Sequence, residues 1–262
     1  HEEIGSSDPA FGLAYLANSM LCVNNFAASA NEEQKQRILP KMCSGEWIGC
    51  MGMSEPDYGT DVFGMKTTAV QRKDGNWVIN GRKMWITNGC LDDEGTPAEC
   101  VLLYAKTGEE NGRPRMSTFL VEKEHPGWYV GQKIMDKAGM RASNTAELVF
   151  DDCIVPPEAL IGVEGESIVH MMRNLEIERL TLAALSCGIA RRCTDIMNRY
   201  ASERTAFGRP IRDFGQIQRH IGESFAEFKA IRSYLYETAY RISAEGGNQR
   251  LDSDGVKLFA TT

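Results

Sequence analysis

Glu178 is an acid set into an apolar stripe. Positions 171, 175, 178, 182 and 185 are spaced 4, 3, 4 and 3, which puts them on one face of a helix, and the other four are Met171, Leu175, Leu182 and Leu185. A carboxylate there is costly unless it is paired or protonated, and desolvation raises its pKa. A carboxyl tuned in this way suits a base that works near neutral pH. The plainer alternative is a structural ion pair with Arg179 or with an arginine from a neighbouring helix.

Three further segments could meet a ligand. The run Met53-Ser54-Glu55-Pro56-Asp57-Tyr58-Gly59-Thr60-Asp61 follows an apolar strand and is rich in turn formers and hydroxyls. Its free backbone N–H groups and side-chain hydroxyls suit a phosphate or the polar edge of a heterocycle, or it is an ordinary strand connection. Trp85 and Thr87 stand two residues apart in Trp85-Ile86-Thr87-Asn88-Gly89, a spacing that puts both on one strand face. That pair can cover a flat ring and bond its edge, or the indole fills the core. Arg204 closes the first long helical pattern, where it can cap helix carbonyls or reach a phosphate of a neighbouring molecule.

The elements that must position these residues fall into three zones. The reading places a helical segment at 1–45, a β domain at 46–160 and a helical bundle at 161–262. In the first zone, Asn31-Glu32-Glu33-Gln34 starts a helix expected to end near Leu39-Pro40 or shortly after, where Cys43-Ser44-Gly45 supplies a stop. In the second, Val78-Ile79 before Asn80-Gly81 predicts a hairpin, and strands are expected at 101–105, 117–122, 128–132 and 146–150, as in a small barrel or sandwich. In the third, Ile168, Met172, Leu175, Leu182, Leu185, Ile189, Cys193, Ile196 and Tyr200 keep a three-or-four spacing. A break at Phe207-Gly208-Arg209-Pro210 and a second pattern from about 216 to 245 predict two long helices of an antiparallel bundle. A third helix is under way at 259–262 and another at residue 1, so both ends are expected to be incomplete.

Composition narrows the classes. Hydrophobic residues make up 42% and charged residues 25% of 262, the proportions of a globular protein. The net charge of −7 and the lack of a basic stripe argue against nucleic acid. No apolar run approaches the roughly 18–20 residues that span a bilayer. Eight cysteines without a C-x-x-C pair and four scattered histidines predict reduced thiols and no metal.

In order along the chain, Met53–Asp61, Gly81–Gly89, Asp136-Lys137-Ala138-Gly139-Met140-Arg141-Ala142-Ser143-Asn144-Thr145, Ile177-Glu178-Arg179-Leu180 and Glu203–Ile211 resemble the motifs of the acyl-CoA dehydrogenase family. Asp136–Thr145 and Glu178 are most similar to its isovaleryl branch. The resemblance implies an α+β fold with an N-terminal helical domain, a middle β-barrel domain and a C-terminal helical bundle. It implies an FAD enzyme that dehydrogenates a short branched acyl-CoA, isovaleryl-CoA to 3-methylcrotonyl-CoA in leucine catabolism, and passes electrons to electron-transfer flavoprotein. Alternatives are a dehydrogenase or oxidase of another chain-length class, or a non-catalytic homologue.

The same resemblance assigns roles. Glu178 is the expected base, a residue that most family members carry later in the chain. Met51, Gly52, Met53, Ser54, Gly59, Thr60, Trp85, Ile86 and Thr87 are expected at the flavin, with Thr87 near N5, and Arg204 and Phe207 at the FAD of an adjacent subunit of a homotetramer. Thr60, Arg115, Glu176, Ile177 and Arg179 are expected at the acyl-CoA. The compartment implied is the mitochondrial matrix in a eukaryote and the cytoplasm in a bacterium. Gly215, Val169 and Asp57-Tyr58 depart from the family pattern at a glutamine, an aromatic and a pair of smaller residues respectively.

Overall fold

The computed structural model describes residues 1–245 and 249–262. The chain divides into two compact units, Leu13–Asn174 and, separately, His1–Gly12 with Leu175–Thr262. In chain order the helices are α1 (Glu2–Ser7), α2 (Pro9–Leu16), α3 (Asn25–Ser29), α4 (Glu32–Ser44), α5 (Ser167–Glu203), α6 (Gly215–Glu245) and α7 (Arg250–Thr261); a π-helical stretch, Ala17–Asn24, joins α2 to α3. The strands are β1 (Gly49–Gly52), β2 (Thr68–Gln71), β3 (Trp77–Thr87), β4 (Cys100–Glu110), β5 (Arg113–Glu122), β6 (Trp128–Lys133), β7 (Thr145–Val155), β8 (Leu160–Ile161), β9 (Thr205–Ala206) and β10 (Arg209–Pro210).

In the unit Leu13–Asn174, eight strands form one sheet in the order β6-β7-β3-β2-β4-β5-β8, with β1 added parallel to β4. Strand alternation explains how it is covered. On β4, Val101, Leu103 and Ala105 enter one apolar cluster, while Cys100 and Leu102 point the other way against Phe26, Ile38 and Met42 of α3 and α4. The first cluster draws residues from β1 through β7, so the sheet curls around its own core as a barrel does. Trp77 of β3 meets Phe119 of β5 edge to face at 5.2 Å, although these strands are not neighbours in the sheet. Helix α4 starts as its sequence requires. Asn31 accepts from the Gln34 N–H and Gln34 Oε1 accepts from the Asn31 N–H, both at 2.9 Å, and Gly45 (φ +80°) ends the helix.

The expected hairpin at Asn80-Gly81 is absent. Both residues lie inside the continuous strand β3, at a register shift against β7. Gly81 has φ +152°, and a Cβ there would collide with Thr67, so the glycine serves close backbone approach at a bulge rather than a turn. The actual reversal between β2 and β3 is the tight turn in which Arg72 N–H donates to the Asn76 carbonyl at 2.7 Å, with Gly75 at φ +89°.

In the other unit, α5, α6 and α7 enclose Ala183, Cys187, Phe228, Ile231, Leu235 and Val256. The buried face of α5 keeps only part of the large stripe expected: Leu185 is buried with the small residues Ala183, Cys187 and Gly188, whereas Ile196 and Tyr200 are exposed. Helix α1 sets where small residues are needed: a Cβ on Gly188 would meet the Glu2 carbonyl, while Leu185 packs where Gly5 of α1 has no side chain. Glu2 is itself buried, and its carboxylate accepts from Arg232 Nε at 2.9 Å and Tyr236 Oη at 2.7 Å. Burial acts against its ionised form, but these bonds and the Arg232 and Arg191 charges outweigh it and hold the carboxyl below the usual range.

Candidate active site

The loop after β1 carries much of the candidate cofactor surface. Met51 and Gly52 end β1, and Met53 and Ser54 lead into a turn closed by Glu55 N–H to the Tyr58 carbonyl at 2.9 Å. Tyr58, one of the two unusual residues of this loop, packs over the place where Gly64 has no side chain, with Lys66 Nζ 5.4 Å from its ring centroid. Beyond the turn, Gly59 and Thr60 are exposed, and nothing lies within 4 Å of where a Cβ on Gly59 would stand.

Strand β3 meets this loop edge on: the Met84 N–H donates to the Ser54 carbonyl at 2.9 Å. Immediately afterwards the strand bulges, with a second register shift between Lys83 and Ile86 and Trp85 at φ +60°. The bulge turns the indole outward, leaving it 56% exposed, while Ile86 packs in the core and Thr87 is half-buried opposite Thr145. Trp85 therefore does not fill the core; Trp77 and Trp128 do. Among the described residues the hydroxyls of Ser54, Thr60 and Thr87 have no hydrogen-bond partner. An open indole face, three free hydroxyls and a backbone loop clear of side chains fit a flat heterocycle with a polar edge and attached phosphates.

The residues that hold these two segments together were missed in the sequence. Lys83 is fully buried, and its Nζ donates to the Met53 carbonyl at 3.1 Å and to Glu55 Oε1 at 2.9 Å. Glu55 also accepts from the Lys66 N–H at 2.6 Å, the Thr67 N–H at 2.9 Å and the Thr67 hydroxyl at 2.6 Å. Burial pushes the Lys83 ammonium down to about 8, with Glu55 opposing the shift. Burial disfavours the Glu55 carboxylate, but Lys83 and the three other donors outweigh it and hold the group below its usual range, so both are charged at neutral pH. The signal was present: Trp77, Ile79 and Lys83 share the inward phase of β3, and a lysine there demands a buried carboxylate.

Glu178, on α5, is half-buried, and among the described residues its carboxylate has no hydrogen-bond or ion-pair partner. The ion pair considered for Arg179 goes elsewhere, since its Nη1 donates to Asp254 Oδ1 of α7 at 2.7 Å. Burial raises the Glu178 pKa, opposed by the nearby charges of Arg179 and Lys257. An acid so placed keeps affinity for a proton and has no structural bond to lose when it takes one. Of its neighbours, Glu176 accepts from the Gln249 N–H at 2.8 Å, and Ile177 is half-buried.

The remaining expected residues stand apart. Arg115 of β5 donates to the Glu164 carbonyl at 3.1 Å and lies 3.7 Å from that residue's carboxylate. Arg204 is exposed, and its guanidinium caps no carbonyl among the described residues. Phe207 is 95% exposed at the turn of the β9–β10 hairpin, its ring edge on to Phe214 at 6.1 Å. Val169 is likewise open, 71% exposed. No described helix is long and apolar enough to cross a membrane, and no described group of three His, Cys, Asp or Glu side chains could hold a metal ion.

Known proteins match along almost the whole chain. Isovaleryl-CoA dehydrogenase, mitochondrial, of Oryza sativa subsp. japonica is 42% identical over 259 residues, 99% of this chain and 61% of that protein. The 2-methylacyl-CoA dehydrogenase, mitochondrial, of Solanum tuberosum is also 42% identical, with the same coverage. The structure of butyryl-CoA dehydrogenase from Megasphaera elsdenii superposes with a TM-score of 0.92 at 31% identity, covering 99% of this chain and 66% of that one. The chain thus spans 61% of the length of the two plant relatives. Residues 1–46, 50–153 and 168–262 match the N-terminal, middle and C-terminal domains that define acyl-CoA dehydrogenases, and the chain belongs to that family.

Proposed function

We propose that the protein is an FAD-dependent dehydrogenase of a short branched acyl-CoA, with isovaleryl-CoA as substrate and 3-methylcrotonyl-CoA as product. The observation that carries the chemistry is Glu178, a half-buried carboxylate without a partner among the described residues, whose proton affinity burial has raised. A Glu178 carboxylate oxygen takes the α-proton of the thioester. When bound, FAD supplies the acceptor for the hydride that leaves the β-carbon. Trp85 and Thr87 would hold its ring, and Ser54, Gly59 and Thr60 would offer hydroxyls and backbone N–H groups to its polar groups and phosphates. Met51, Gly52, Met53 and Ile86 supply the backbone and apolar lining.

Thr60, Arg115, Glu176, Ile177 and Arg179 are assigned to the acyl-CoA, Arg115 by charge toward its phosphates. The exposed Arg204 and Phe207 are assigned to the FAD of a neighbouring subunit in a homotetramer, and electrons leave to electron-transfer flavoprotein. The plant relatives are named mitochondrial, which supports the mitochondrial matrix if the source is a eukaryote. A second substrate, a 2-methylacyl-CoA, is favoured by the potato relative of equal identity.

The test uses the full-length protein with FAD, mixed without oxygen with isovaleryl-CoA, a 2-methylacyl-CoA and butyryl-CoA in turn. Fastest bleaching of the flavin band by isovaleryl-CoA supports the reading. Fastest bleaching by another thioester moves the substrate, and no bleaching by any of them removes the reaction.

A further inference from the structure

We propose that Lys83 and Glu55 are positioning residues for the flavin: a buried ion pair that fixes the loop 51–60 and the strand segment 84–87 in one geometry. The inference rests on the flavin reading above and adds two residues that do not themselves touch the ring. Both segments would face the same cofactor, yet they are far apart in sequence, and each departs from regular structure. The loop leaves its pairing with β4 after Gly52 to form a turn, and the strand bulges at Trp85 with a left-handed backbone. Something must hold them in register.

The Lys83 ammonium spans the gap. It is the residue two before Trp85, it bonds the carbonyl of Met53, and it bonds the carboxylate of Glu55. Glu55 then ties the loop forward to the backbone of Lys66 and Thr67, so that both ends of the 53–67 excursion meet at one carboxylate. The Met84 N–H to Ser54 carbonyl bond lies directly beside this pair. Thr67 in turn abuts Gly81, the first bulge of β3. A chain of contacts thus runs from the loop through the ion pair to the strand backbone that carries Trp85.

Burying two charges is a poor way to gain stability, because desolvation offsets most of the attraction. Its retention at this point is explained by geometry. A point charge with three donors can fix two acceptors of different segments at once, which an apolar side chain of the same volume cannot.

The experiment compares the full-length wild type with Lys83→Met, with the double variant Glu55→Gln/Lys83→Met, and with Ile79→Ala, a core variant of the same strand distant from the pair in function. Three quantities are read: the FAD dissociation constant, the vibrational shoulder of the bound-flavin spectrum, and amide exchange of the flavin-free protein. Lys83→Met is expected to weaken FAD binding by about tenfold or more and to blur the shoulder. It is also expected to speed exchange across 53–67 and 84–87. The double variant, which leaves no unpaired charge, folds even where the single one does not and shows the same flavin losses. Ile79→Ala lowers thermal stability and leaves the flavin constants as in the wild type. Wild-type FAD affinity and spectrum in both Lys83 variants would overturn the proposal while leaving the flavin reading intact. Equal losses in Ile79→Ala would overturn it as well, by reducing the pair to a stability element. A wild type that takes up no FAD overturns the flavin reading, and this inference with it.

Discussion

Arg179 gives its guanidinium to Asp254 at 2.7 Å and not to Glu178, its neighbour on α5, which has no ion pair among the described residues. The arrangement keeps a cation close enough to favour the ionised form of Glu178 without neutralising it. Replacing Asp254 by Asn releases Arg179 from its bond and strengthens its hold on the Glu178 carboxylate. The Glu178 pKa then falls, and the acid limb of kcat/KM moves to lower pH. A pH–rate profile of the variant in the full-length enzyme checks this. An unmoved limb would mean that another group sets it.

Glu178→Gln should keep FAD binding and lose about 10²- to 10⁴-fold in α-proton abstraction, the share that a positioned base contributes. The same variant carries a stability signature whose sign follows from the raised pKa. The folded state binds the proton more tightly than the unfolded chain, whose carboxyl keeps its ordinary value of 4.5. Between these two values the folded state holds more protons, so stability falls as pH rises through the folded pKa. The penalty is absent below 4.5 and complete above the folded value. Glu178→Gln should therefore be more stable than wild type at neutral pH, with the gap closing as pH falls toward 4.5. Denaturant midpoints across that range measure it, and a constant gap would contradict the burial argument.

The fate of the two inward- and outward-facing tryptophans of β3 separates core from site. Trp77 is buried against Phe119, and Trp77→Ala should cost about 3–5 kcal/mol. Trp85 is largely open, and Trp85→Ala should change stability by no more than about 0.5 kcal/mol. In the full-length protein the latter should instead weaken FAD binding by roughly threefold to tenfold, the value of one aromatic stacking contact. Equilibrium unfolding and a flavin titration give both numbers. A large stability loss in Trp85→Ala would return the indole to the core.

What the sequence made legible was local or periodic. The helix start at Asn31-Glu32-Glu33-Gln34 depends on four consecutive residues and lies where expected, and the long helices α5 and α6 followed from their three-or-four spacing. What stayed hidden depended on contacts between distant residues. Asn80-Gly81 has the composition of a turn, but the close passage of Thr67 behind Gly81 and pairing with β7 keep the strand running. The small position on the inner face of α5 is set by α1, whose backbone passes at Gly188, while Leu185 of the expected stripe fills the space at Gly5. Lys83 and Glu55 lie 28 residues apart, and only the folded sheet shows that they meet. Glu178 itself stood out because a single charge in an apolar stripe is a local anomaly; the diversion of its arginine neighbour to Asp254 was not visible.

Phe207 offers a test of assembly that leaves the subunit alone. It sits with Gly208 in a two-residue turn where both have positive φ, 52° and 77°, a hairpin geometry that holds the ring away from the helices. Because the ring is 95% exposed, Phe207→Ser should leave subunit folding unchanged. If the ring is buried by a neighbouring subunit, the variant loses about 1.5–3 kcal/mol per contact. That is roughly 10- to 150-fold in the association constant. Sedimentation of the full-length protein should then show smaller species at concentrations where the wild type stays assembled, together with faster FAD release. Unchanged sedimentation and unchanged FAD release would remove Phe207 from the interface and confine its role to the hairpin.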